Sequence, residues 1–150
     1  KKNISIMSGY NSRLDNIQAA VANVKLKKIK SRILKTIKYA DYYNAKLKEY
    51  LNVPHYRKNE EPVFHRYIVI CKNQRERDTL YKFLQKNDIE TKINYGVPLY
   101  NHPAYKKYKN GNFPNAEKFS RRMLSLPLYP EMKKNEIDYV ISKIRKFFQS

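Results

Sequence analysis

The chain has no long apolar run. The longest, YIVIC at Tyr67–Cys71, is five residues, against the roughly 20 that a helix needs to cross a bilayer. It shows no pattern of a secretory leader. A single cysteine, Cys71, among 150 residues cannot form an internal disulfide. Its place in an apolar, strand-like run reads as a small core residue rather than a nucleophile. These absences together read as a cytoplasmic chain. With three glycines in all, there is no glycine-rich phosphate loop, and neither a G-x-S-x-G elbow nor a Ser-His-Asp order can be found. His55 falls in a loop and His65 in a strand, without Cys or His at ligand spacing, so no metal is expected. The initiating methionine is also missing at Lys1, which reads as a processed, truncated or excised chain.

Acidic residues are scarce: 13 against 32 basic ones, for a net charge of +19. One reading is a non-catalytic basic module for nucleic acid or another polyanion, with the 14 tyrosines stacking on bases. The other starts from which cation is used. Lysine supplies 23 of the 32 and arginine nine, so the forked, bidentate group is in the minority. Lys, Asn, Ile and Tyr make up 65 of the 150 residues. All four have A/T-rich codons, and the lysines are scattered rather than gathered into an arm. Base composition is the stronger account, and neither nucleic acid nor membrane is the expected partner.

Apolar residues, 41% of the chain, suffice for one domain with a real core. Ser12 followed by Asp15 resembles a capping box, and Leu14, Ile17, Val21 and Val24 follow at helical spacing. A second stripe, Ile33, Ile37, Ala40, Leu47 and Leu51, changes phase near Lys27–Lys30. A pair of helices kinked there is expected in preference to one very long helix. After the polar loop Pro54–Pro62, VFHRYIVICK reads as a strand and QRERDTLYKFLQKND as an amphipathic helix. IETKINY reads as a second strand, and residues 96–114 as loop with at most a short helix at PAYKKY. NAEKFSRRML is expected as helix, SLPLYP as extended, and KNEIDYVISKIRKFF as a closing helix. Few strands with helices on one side argue for an α+β sandwich. The first helix has the weaker claim to this core and could pack on something else.

Two stretches could carry chemistry. GYNSRLDNIQAA places Asn11 and Arg13 at a helix start, where free N–H groups and the helix dipole favour an anion. The same residues also suit a plain capped helix with an exposed arginine. NYGVPLYNHPAY, Asn94–Tyr105, sets three tyrosines, His102 and two prolines directly after a strand. Such a rigid aromatic loop suits a ligand or a packed surface.

Taken in order, GYNSRLDNIQAAVANVKLKKI, HRYIV, RDTLYKFLQKNDIETKINYGVPLY and FPNAEKFSRRMLSLPLYPEM resemble the C-terminal part of a DegT/DnrJ/StrS-type nucleotide-sugar aminotransferase. This is a pyridoxal-phosphate (PLP) enzyme of fold type I. The resemblance implies an α+β small C-terminal domain at residues 53–150, with a few-stranded, mostly antiparallel sheet. A long or kinked interdomain helix at residues 1–52 precedes it. The resemblance also implies a homodimer with shared active sites, in which Asn11 donates to the phosphate of the neighbour's PLP. Arg13 then lies beside Asn11 or contacts substrate. Tyr95, Pro98 and Leu99 match the family's Tyr-Pro-x-Pro-Leu-His pattern, whereas Gly96 replaces its first proline. Tyr100 stands at the substrate-facing histidine, with His102 two positions on, so Tyr95, Tyr100 and His102 are the implied substrate contacts. The Schiff-base lysine, the acid at the pyridine nitrogen and the ring-stacking aromatic of such enzymes lie upstream, in a large PLP-binding domain. The implied activity is transfer of an amino group, with glutamate as the usual donor, to a keto nucleotide-sugar. Its products feed surface polysaccharide or glycoprotein synthesis. The chain alone is expected to be inactive.

Overall fold

The computed structural model describes Ile4, Ile6, Met7, Gly9 and residues 13–149. Helix α1 (Asn16–Leu26) and helix α2 (Ile29–Leu47) are separated by Lys27 and Lys28. Lys28 leaves helical geometry at φ −114°, ψ 4°, and its N–H bonds back only to Lys25, at 3.0 Å. The break falls where the apolar stripe changes phase. Beyond it, Thr36, Ala40, Tyr43 and Leu47 recur on one face of α2, and all are buried. Before it, α1 buries nothing.

Strand β1 (Tyr67–Ile70) pairs antiparallel with β2 (Met123–Leu126), Tyr67 opposite Leu126 and Val69 opposite Leu124. Side chains alternate across a strand, so these four lie on one face, and all are buried. Tyr67 meets α2 there: its ring lies 5.0 Å from that of Tyr43, and its hydroxyl donates to Asn44 Oδ1 at 2.7 Å. Leu80 and Leu84 of α3 (Gln74–Lys86) complete the core, with Ile137, Val140, Ile141 and Ile144 of α5 (Lys134–Gln149). Helix α4 (Pro114–Arg122), with proline in its first turn, leads directly into β2.

Three expected boundaries are corrected. Ladder pairing in VFHRYIVICK is confined to Tyr67–Ile70. The second strand begins at Met123, two residues before SLPLYP. IETKINY contributes one bridge, Lys92 with Ser125, in place of a strand. Ile89 and Thr91 are both buried, so the alternation there is real. The extended course stops at Tyr95, which turns into left-handed geometry at φ 60°. A matching bridge, Asn52 with Ile70, extends the other edge. The sheet is small and antiparallel, as the α+β reading requires.

Helix α3 has sharp signals at both ends. Asn73 Oδ1 accepts from the Glu76 N–H at 2.9 Å, satisfying one of the free donors of the first turn. At the other end, the Ile89 N–H reaches Leu84 O at 3.0 Å and the Asp88 N–H reaches Gln85 O at 3.2 Å. This is a Schellman closure, with Asp88 at φ 57° where glycine is usual. No described helix is long and apolar enough to cross a membrane.

Candidate functional site

The chain enters α1 differently from the expected capping box. Asp15 is the N-cap: it accepts from the third backbone N–H of the helix, while Gln18 Oε1 accepts from the Asp15 N–H. Ser12 and Asn11 lie outside the described residues. Arg13 therefore stands two positions before the cap, rather than in the first helical turn. Its guanidinium is exposed and pairs through Nε with Asp15 at 2.9 Å, so it has a partner within the chain. Asp15 takes the cap position because its carboxylate reaches the third backbone N–H of the helix and Gln18 closes the box.

The tyrosine loop leaves the sheet at Asn94, whose Nδ2 donates to Ser125 Oγ at 2.8 Å. Two 3-10 turns follow, at Leu99–Asn101 and Lys106–Tyr108. A cleft of about 760 Å³ is walled by Arg66, Asn94, Tyr95, Gly96 and His102. The structure thus brings Tyr95 and His102 together. His102 Nε2 lies 3.3 Å from Val97 O, across the turn. Tyr100 is absent from this wall. Its ring packs 5.0 Å from Phe113, and its hydroxyl points to Glu117 Oε1 at 3.4 Å. Partial burial, reinforced by the Glu117 charge, raises its pKa above the ordinary phenol value. Of the two candidates for the family's histidine position, His102 is the one that faces the cleft.

Gly96 needs no unusual backbone angle. A Cβ there would meet Ile93 Cγ2 at 3.1 Å, so the glycine makes room for the side chain beneath it.

Sequence reasoning missed Arg66. It lies just before β1 and walls both this cleft and a second one of about 770 Å³. Its guanidinium carbon lies 5.8 Å from the centre of the Tyr95 ring. The available signal was a lone cation entering an otherwise aromatic and β-branched run.

The match to known proteins spans almost the whole chain. Residues 1–145 fit the model of the DegT/DnrJ/EryC1/StrS aminotransferase family. A Geobacillus stearothermophilus protein described as a pleiotropic regulatory protein is 35% identical, over 94% of this chain and 39% of its own length. The dTDP-3-amino-3,6-dideoxy-alpha-D-galactopyranose transaminase of Aneurinibacillus thermoaerophilus is 28% identical, over 98% of this chain and 40% of its own length. Among solved structures, a DegT/DnrJ/EryC1/StrS aminotransferase from Brucella abortus superposes with TM-score 0.84 and 33% identity, over 98% of this chain and 39% of that one. DesV of S. venezuelae, solved with a ketimine intermediate, gives 0.83 and 31%, over 98% and 40%. The chain spans about two fifths of the length of these proteins and matches their C-terminal part. It belongs to the DegT/DnrJ/EryC1/StrS aminotransferase family.

Proposed function

We propose that this chain forms the small domain and interface arm of a PLP-dependent aminotransferase acting on a keto nucleotide-sugar, with glutamate as amino donor. Its product would supply surface polysaccharide or glycan synthesis in the cytoplasm. The observation that carries this reading is the family match across residues 1–145, together with a relative that is a transaminase of a dTDP-linked amino sugar. In this reading residues 1–52 supply the arm and the interdomain helix. The buried half of α2 joins residues 53–150 in the small domain.

The enzyme would act as a homodimer, with Asn11 and Arg13 of one subunit holding the phosphate of the other's PLP. The described half of that pair fits an anion. Arg13 is exposed, and Asp15 engages it through Nε. Bound PLP supplies the electron sink for amino transfer. This chain would fix the phosphate, close the cleft over the sugar with Tyr95 and His102, and keep water from it. Tyr100 would support that loop from behind, or turn inward when the sugar binds. The lysine that carries PLP would come from the upstream large domain, so the chain by itself would be inactive.

Asn11→Ala and Arg13→Ala in the complete enzyme test the arm. A hydrogen bond to a charged group contributes about 1.5–3 kcal/mol, so each change should weaken PLP retention roughly ten- to a hundredfold with little loss of folding. Unchanged retention and turnover in both variants would remove the assignment.

A further inference from the structure

We propose that Arg66 is the cationic centre of an oxyanion subsite, taking a carboxylate or phosphoryl group in the cleft beneath the tyrosine loop. Three observations converge on it.

The first is an unused donor. Arg66 Nε is shut off from solvent and makes no hydrogen bond among the described residues, nor does Arg66 form an ion pair there. A guanidinium N–H withdrawn from water without a partner is costly. A planar oxyanion is the group that satisfies the fork most fully.

The second is the backbone of Tyr95. A tyrosine at φ 60° is strained, and burial does not enforce the strain, because the residue is 67% exposed. The strain sets the ring over Arg66, 5.8 Å from ring centre to guanidinium carbon. One face of the guanidinium is then covered by the ring, while Arg66 itself lines the cleft wall. Strain kept at an exposed aromatic beside a cation is expected of a ligand site rather than of a packing site.

The third is the distribution of charge. Arg66 stands in the wall between two clefts. The larger of them is lined as well by Asp88, Glu90 and Glu136 against one further cation, Lys92, itself paired with Glu90, so carboxylates outnumber cations and disfavour an anion there. Among the described lining residues of the smaller there is no carboxylate, and Arg66 is the one full charge. Asn94 and His102 add polar groups to it. An oxyanion is therefore directed to the smaller cleft.

The identity of the ligand rests on the aminotransferase reading: a carboxylate of the amino donor, or a phosphate of the nucleotide-sugar. The anion chemistry does not. The test is ¹H–¹⁵N TROSY NMR of the Arg66 Nε–H group in the complete enzyme, assigned by its loss in Arg66→Gln. The titrants are glutarate and inorganic phosphate, each against chloride at equal ionic strength. The resonance should move downfield and saturate in the millimolar range. Saturation with glutarate alone assigns the amino donor, and with phosphate alone the nucleotide. Arg66→Lys keeps the charge but lacks Nε, and should abolish the saturable shifts of the Asn94 and Tyr95 amides while the rest of the spectrum stays dispersed. A response no larger than that to chloride, or one retained in Arg66→Lys, overturns the proposal. Either failure leaves the PLP arm standing, since PLP retention is measured separately in the complete enzyme. Equally, a saturable response keeps the subsite even where Asn11→Ala and Arg13→Ala leave PLP retention unchanged.

Discussion

Tyr95 holds a left-handed backbone, φ 60°, and with it sets its ring 5.8 Å from the guanidinium carbon of Arg66. Such a conformation costs a non-glycine residue about 1–3 kcal/mol, against about 0.5–1 kcal/mol from an exposed cation–π contact. Tyr95→Gly removes both. It should leave the chain as stable as the parent within about 1 kcal/mol, read from urea midpoints. In the complete enzyme the same change should raise KM for the sugar. A large loss of stability would show that the ring is structural.

Asp88 offers a purer case of the same geometry, because it closes α3 at φ 57° within a Schellman pair of hydrogen bonds. Asp88→Gly should raise stability by about 0.5–1 kcal/mol, and Asp88→Val should lower it by about 1–2 kcal/mol. Urea unfolding with unchanged m-values is the check.

Much of the fold was legible because burial and period agreed. In α3 and α5 the apolar face repeats at helical spacing, and Asn73 sits where its side chain can cap. The break at Lys27–Lys28 was visible as a change of phase. IETKINY misled because alternation reports burial of Ile89 and Thr91, whereas a strand needs a continuous partner, and only Lys92 finds one. Likewise, Ser12-x-x-Asp15 and Asp15-x-x-Gln18 both match a box pattern, and hydrogen-bond geometry at Asp15 selects the second. At the site, Tyr95 and His102 were readable from the loop. Arg66 was not, since its role depends on a wall shared by two clefts that no local pattern encodes.

Cys71 has no exposure to solvent. Burial, aided by the Glu76 charge, pushes its thiol up to about 12. At about pH 8.5, where a free thiol is half ionised, alkylation of the native chain should be negligible. It should become complete when denaturant opens the core. Rapid labelling without denaturant would contradict the packing of β1.

Leu14, Ile17, Val21 and Val24 all stand exposed along α1 and the residues leading into it. In the proposed enzyme this stripe would pack against the upstream large domain. Ile17→Ser and Val21→Ser should change the stability of the 150-residue chain by no more than about 0.5 kcal/mol. In the complete enzyme each should cost about 1.5–3 kcal/mol, measured as a fall in its unfolding midpoint. Equal effects in the two settings would show that α1 contacts no such domain.

The most direct measurement of the central claim is the intact mass of the protein that the native gene produces, before and after borohydride reduction. A mass more than twice 18.0 kDa is predicted, because the chain covers about 40% of its relatives. Reduction should fix one PLP to a lysine upstream of residue 1. A product near 18.0 kDa that carries no reducible PLP and recruits no partner chain bearing one would contradict the account.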